Sequence, residues 1–311
     1  MSEPKLERVL IGIRPRGEAL PVAAMHARYL AECAGAEIGL VTAIFDADIA
    51  ARLNAGDATA VAAQAGMMQN EQRALDGLAQ SLRDWGVRVR AQVLWDRPVH
   101  EALLREAERW NADLVVLGEH EPRIGLHWRL ADADWELARR SPRPVLLARD
   151  PDFEGYRTVL AAVDPLHLHS EPSGLDHAVL RHASAVARCL GAELRVVHAF
   201  PDPERFALAS AVEVAPGVFY GTENIEDVHR RAVQELVSAF GVPPERVDLR
   251  PGRPADVITE VARERGAKLI VLGAVQRSRA AQALIGSTAE AVATEAECDV
   301  LLVPAPRAQD R

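Results

Sequence analysis

The chain has 311 residues, 49% of them hydrophobic and 26% charged, which is the composition of a globular protein with length for roughly two domains of about 150 residues each. A formal net charge of −9 without a clustered Lys/Arg run argues against nucleic acid or an anionic membrane as partner, because both demand a basic face. Three widely spaced cysteines, Cys33, Cys189 and Cys298, form neither a disulfide framework nor a C-x-x-C site and point to a reducing cytoplasm.

In chain order, the opening MSEPKLERVLIGI lacks the basic and long apolar regions of a signal peptide, and no stretch approaches the length of a membrane span. The apolar run RVLIGI from Arg8 is followed by CAGAEIGLVTAIFD from Cys33 and then by an alanine-rich, amphipathic excursion over 46 to 72. RPVHEALLREAERWNADLVVLG from Arg97 leads through EHEPRIGLHWRLADADW to RPVLLARD. From Arg157 the same order begins again. CLGAELRVVHAFPD starts at Cys189, an offset of 189 − 33 = 156. RPADVITEVARERGAKLIVLG starts at Arg253, and 253 − 97 is again 156, slipping to 273 − 118 = 155 at the terminal glycine. An internal repeat of this length sets the architecture. The boundary falls between Asp150 and Gly155, giving domains of 1–152 and 153–311.

Short Val/Ile/Leu runs alternate with segments of helical period, the pattern of βαβ units. In the second repeat the expected strands are 159–163, 194–199, 248–250, 269–272 and 300–303. The expected helices are 176–190, 226–240, 256–265 and 288–296. Strands apolar throughout belong to a parallel sheet covered on both faces. The fold class is therefore α/β, with two tandem doubly wound sheets of about five strands. Such sheets bind ligands beyond the carboxyl ends of their strands, where strand order reverses. That rule selects Asp164 after the first strand and Gly273 at the end of the fourth, with the loop and helix start that follow Gly273. A glycine leaving a strand and a Gly-Ser-Thr opening a helix suit an anion, since backbone N–H groups can approach it and the helix N-terminus adds partial positive charge. Ser287 or Thr288 as N-cap, with Glu290 three residues after Ser287, would instead make a capping box needing no ligand.

The order of strand, Asp164, helix, strand, long excursion, R-P-x-x-x-I, L-I-V-L-G, loop and G-S-T resembles the universal stress protein domain. VLWDRPVHEAL, DWELARRSPRPVLLARD and LIVLGAVQRSRAAQALIGSTAEAVATEAECDVLLVPAP resemble the tandem, E-type members with two such domains in one chain. The resemblance implies an adenine-nucleotide-binding α/β fold, a stress-response ligand-binding or regulatory module, and ATP or a related nucleotide as cofactor. It implies a loop of G, two residues, G, nine residues, G and Ser or Thr, falling on Gly273, Gln276, Gly286 and Ser287. Gln276 departs from that pattern, because its side chain crowds a position where glycine would let the backbone approach phosphate. Arg277 and Arg279 add cationic groups, Thr288 continues the helix start, and Asp164 matches the family's acidic position near base and sugar. In the first repeat the corresponding residues are Glu121, Ala131 and Asp132, and Arg14 follows the first strand, so a nucleotide is expected in the second domain alone. The resemblance also implies that Val145–Arg149 and Val300–Pro304 pair as final strands in an intrachain pseudo-dimer, with a further homodimer open.

His167 and His169, with Glu171, have the types of a metal clasp but read more simply as solvated loop residues. Glu119, His120, Glu121 and His127 mix acids and imidazoles at the expected ligand edge. Hydrolase, metalloprotease, dehydrogenase and P-loop signatures are missing from the sequence. The excursion over 201 to 225 carries Phe206, Leu208, Val212, Val214, Val218, Phe219 and Tyr220, which either seal an interdomain surface or hold a lipid or acyl chain in an interdomain groove. Three functions follow from these features: a nucleotide-binding regulatory module, a carrier of an apolar ligand, and a slow nucleotide hydrolase, the last without an evident general base. A small-molecule partner is common to all three.

Overall fold

The computed structural model describes residues 4–13, 21–118, 132–150, 153–166, 174–201, 224–274 and 286–306. It divides into two compact units, one of Lys5–Gly155 and the other running from Tyr156 to the C-terminus.

The first unit contains β1 (Arg8–Gly12), α1 (Val22–Ala34), β2 (Glu37–Ile44), α2 (Ala47–Asn54), α3 (Ala58–Arg83), β3 (Arg88–Trp95), α4 (Val99–Arg109), β4 (Leu114–Gly118), α5 (Asp132–Arg140) and β5 (Val145–Ala148). Its strand order is β3-β2-β1-β4-β5, and every neighbouring pair is parallel. The second unit contains β6 (Thr158–Ala162), α6 (Leu175–Leu190), β7 (Glu193–Phe200), α7 (Ile225–Ser238), β8 (Val247–Pro251), α8 (Pro254–Glu264), β9 (Leu269–Ala274), α9 (Ser287–Glu295) and β10 (Asp299–Pro304). Its order, β8-β7-β6-β9-β10, is the same pattern, again parallel throughout. The expected strands and helices of the second repeat are all present, with ends displaced by one or two residues.

Parallel strands covered by helices on both faces must be apolar along their whole length. Val9, Leu10 and Ile11 in β1, Val159, Leu160 and Ala161 in β6, and Ile270 and Val271 in β9 are accordingly fully buried. The helices present narrower apolar stripes. α6 buries Val179, Leu180, Ala183 and Ala187, spaced at three and four residues as one helical face requires. The excursion over 46 to 72 forms α2 and most of α3. Asp46 and Asp57 start these helices by accepting hydrogen bonds from the amides of Ile49 and Thr59, which satisfies donors that a helix start leaves open. No described helix is long and apolar enough to cross a membrane.

Two pairs of glycines explain how each unit closes. Gly35 and Gly191 end α1 and α6 in the left-handed region, at φ 66° and 65°, which glycine reaches without steric cost. Gly118 and Gly273 lie at the ends of β4 and β9 against the first turn of the covering helix. A Cβ on Gly118 would stand 2.8 Å from the backbone nitrogen of Ala23, and one on Gly273 would stand 2.5 Å from Cδ2 of Leu175. Helix α1 and helix α6 can therefore press onto the sheet only because these side chains are missing.

Candidate functional site

Strand order reverses between β6 and β9, which are direct neighbours. Their carboxyl ends thus flank the crevice at which doubly wound sheets take ligands. Asp164 lies two residues beyond β6 and is half-buried, and its amide donates to Oδ1 of Asp176 at 2.9 Å. Asp176 is buried in the first turn of α6. Val163, just before Asp164, donates its amide to the carbonyl of Val197 at 3.1 Å. The chain leaving β6 is therefore pinned on one side by β7 and on the other by α6.

A histidine pair lies directly behind this strand end. Nδ1 of His198, in β7, is 2.8 Å from the carbonyl oxygen of Val163, and its Nε2 is 2.7 Å from Nδ1 of His229, in α7. The carbonyl can only accept, so Nδ1 of His198 carries the hydrogen, its Nε2 accepts, and Nδ1 of His229 donates. The rings stack with centroids 5.0 Å apart, and Phe200 lies 5.5 Å from the His229 ring. Both side chains are excluded from solvent. Burial pushes the His198 imidazole below its ordinary range, against the opposing effects of the Val163 carbonyl and the Asp164 and Asp176 carboxylates. Burial, then the neighbouring His198, pushes His229 down to about 4, with Asp164 opposing. Both imidazoles are consequently neutral at neutral pH.

The other side of the crevice is built by Gly273 and by the start of α9. Gly273 serves the packing of Leu175, a role that exists without any ligand. The expected capping box is not formed. Gly286 is the N-cap, at φ −55° and ψ 143°, and no side chain caps the helix from it. Ser287 is already the first helical residue and is exposed, Thr288 follows half-buried, and the amide of Glu290 bonds the carbonyl of Gly286. The reason is conformational: the extended angles belong to Gly286, one residue earlier than the motif requires, and glycine has no side chain with which to cap. The helix start thus presents its backbone donors without the competing hydroxyl expected from the sequence.

Gln276 and Arg277, with Arg279, fall outside the described residues, as do Arg14, His120, Glu121, His127, His167, His169 and the excursion residues Phe206 to Tyr220. Among the described residues no group of three or more His, Cys, Asp and Glu side chains gathers as a metal would require. A shallow pocket of about 210 Å³ lies elsewhere in the second unit, lined in part by Ala262, Arg263, Lys268, Glu295 and Cys298. These residues belong to the last turns of α8 and α9 and to the chain entering β9 and β10. The pocket is therefore at the amino ends of the strands, opposite the crevice.

Sequence reasoning selected Asp164, Gly273, Gly286, Ser287 and Thr288 and missed Asp176, His198 and His229. A polar residue within the apolar run LRVVHAF was the available signal for His198. His229 gave a weaker one, because a histidine in an amphipathic helix ordinarily lies on its wet face.

Comparison with known proteins agrees with this architecture. The universal stress protein family matches residues 5–149 and 155–304. Universal stress protein E of Escherichia coli K12 is 26% identical over 310 residues, covering 96% of this chain and 93% of that protein. A Haemophilus influenzae homologue of universal stress protein E is 28% identical over 226 residues, covering 72% of each chain. The crystal structure of a functionally unknown protein from Pseudomonas aeruginosa PAO1 superposes with a TM-score of 0.70 at 25% identity, covering 96% of this chain and 93% of that one. With two family matches in succession and E-type relatives spanning nearly its whole length, the chain belongs to the universal stress protein family as a tandem protein of the E type.

Proposed function

We propose that the protein is a ligand-binding regulatory module whose second unit takes an adenine nucleotide at the carboxyl ends of β6 and β9. The observation that carries this reading is the start of α9, where Gly286 leaves the first-turn amides without a capping side chain from the N-cap. An anion at that position gains hydrogen bonds and the favourable end of the helix dipole. Asp164, across the crevice on the chain leaving β6, is suited to the ribose or base. In this reading Gly273 has a double use, packing on Leu175 and beginning the phosphate loop, and Gln276, Arg277, Ser287 and Thr288 complete its contacts. The first unit takes no nucleotide in this reading, because the repeat sets Asp132 at the position of Ser287, and an acidic residue type in place of the hydroxyl disfavours phosphate.

The test is calorimetric titration of the full chain with Mg-ATP, beside mass spectrometry of whatever the freshly purified protein releases on denaturation. Gly286→Val is accessible to any residue's backbone at φ −55° and ψ 143°, so folding should persist while ATP affinity falls by more than tenfold. Asp132→Ala should leave the affinity where it was. Equal losses from both substitutions would overturn the one-site reading, and a released lipid with no uptake of ATP would move the function away from this crevice.

A further inference from the structure

We propose that His198 and His229 form a proton-operated latch on the strand end that carries Asp164, closed when both rings are neutral and released on acidification. The geometry is a relay of hydrogen bonds with one permitted direction: His229 Nδ1–H to His198 Nε2 at 2.7 Å, and His198 Nδ1–H to the Val163 carbonyl at 2.8 Å. It links α7, β7 and the last residue before Asp164. One added proton places a charge where both rings are sealed from water. A second sets N–H against N–H and removes the bond between the rings. Among the described residues, the charged groups facing the pair are the carboxylates of Asp164, from the chain leaving β6, and Asp176, from α6. Phe200, from β7, adds only an apolar ring.

The first unit supplies the internal reference. There the carbonyl of Ile13, at the same place after β1, accepts from the hydroxyl of Thr42 at 2.6 Å. Thr42 and His198 stand at matching positions of the repeat, 198 − 42 = 156, and the buried residues of the facing helix α3 are all apolar, Ala60, Leu75, Leu78, Ala79 and Leu82, whereas α7 buries His229 beside Val233, Leu236 and Val237. The hydroxyl does not titrate. The second unit thus has an acid-labile fastening at the place where the first has an acid-indifferent one.

Linkage sets the size of the effect. His229, titrating at 6.5 when released and at about 4 when held, by itself shifts the equilibrium toward release by about twentyfold between pH 7 and pH 5, and the lowered His198 acts in the same direction. The effect on a ligand rests on the nucleotide reading of the second unit, but the latch itself does not.

The experiment is native-state amide hydrogen exchange on the full ligand-free chain at pH 7 and pH 5, corrected for intrinsic exchange. It compares the amide of Val163, bonded to Val197 O, with that of Ile13, bonded to Val41 O. Protection at Val163 is expected to fall at least about twentyfold more than at Ile13, and His198→Thr is expected to abolish that excess. ATP binding measured at the same two pH values separates the two readings. Loss of protection with weaker ATP binding at pH 5 supports both, and loss of protection in a protein that binds no ATP supports the latch and removes the nucleotide. Equal changes at Val163 and Ile13 would overturn the latch whatever ATP does.

Discussion

In the first unit the carbonyl that ends β1 meets a threonine hydroxyl, whereas in the second the matching carbonyl after β6 meets an imidazole backed by another imidazole. The same contrast recurs at the amino ends of the strands. Gly39 in β2 leaves room for the Trp110 ring, onto which a Cβ would intrude at 2.7 Å, and Arg90 lies over that ring at 3.9 Å while pairing with buried Glu106. At the matching positions of the second unit stand Arg195 in β7 and Arg265, which ends α8 as Trp110 ends α4, so a glycine and an aromatic ring are answered by two arginines. Arg195 now pairs with buried Asp248, which also holds Arg265. Burial alone would raise the Asp248 carboxyl, but hydrogen bonds from Arg265 and Arg195 outweigh it and hold it below the usual range. Glu106 is held low in the same manner, by Arg109 and Arg90 against its burial. The backbone scaffold was thus kept while the polar solutions at both ends of the sheet diverged. Packing density explains this division, because a buried strand tolerates few substitutions whereas any arrangement that satisfies a polar group is acceptable at its end.

The largest expected effect separates the two close helix approaches. Gly118→Ala directs a methyl group at the backbone nitrogen of Ala23, at 2.8 Å, whereas Gly273→Ala meets only side-chain carbons of Leu175, Cδ2 at 2.5 Å and Cγ at 2.8 Å. A backbone atom yields only if α1 moves, but a leucine can change rotamer. Gly118→Ala should cost about 3 kcal/mol and Gly273→Ala about 1 kcal/mol. Urea unfolding followed by probes in each unit would measure both, and the reverse ranking would show that α6, not α1, is the more rigidly seated helix. Because Gly273 also belongs to the candidate crevice, a small stability cost with a large loss of ATP affinity would distinguish its two uses.

This pair also shows what the sequence could reveal. The repeat, the strand order and the placement of Asp164, Gly273 and Gly286 were legible because period and spacing determine them, and both crossovers and apolar strands leave strong patterns. The capping of α9 was misread by one residue. An S-x-x-E spacing states which side chains are available, but the N-cap is fixed by backbone angles, and those belong to Gly286. The histidine pair was not legible, since His198 and His229 are 31 residues apart and face each other only after β7 and α7 pack. No spacing rule joins residues brought together by a crossover that long.

Acid should expose the second unit before the first. His182, His198 and His229 are all pushed down by burial, His182 and His229 to about 4. A group whose folded value lies below its unfolded value of 6.5 stabilises the fold fully above 6.5 and loses that contribution as pH falls toward 4. For fully buried His229 the loss by pH 5 is about 2 kcal/mol; half-buried His182 should add less. All three lie in the second unit. Thermal unfolding between pH 7.5 and pH 4.5 should therefore show the second unit's signal moving down while that of the first holds. A uniform shift of both would mean that carboxylates common to the two units, not these imidazoles, govern acid stability.

The smallest effect asks whether the shared scaffold is energetically as well as geometrically shared. Gly35 and Gly191 close α1 and α6 with almost identical left-handed angles, and a Cβ on either would meet nothing within 4 Å. Substitution by alanine therefore imposes backbone strain without a clash, at about 1 kcal/mol in each unit. Here the prediction is equality: the two variants should shift their units' urea midpoints by the same increment in stability. Arg88 donates to the Gly35 carbonyl at 2.7 Å, but that bond is to the backbone and survives Gly35→Ala, and the added methyl group meets no neighbour in either unit. A clear inequality would mean that one helix end relaxes out of the left-handed region at little cost, and that the two units differ in the freedom of their backbones as well as in the polar groups at their strand ends.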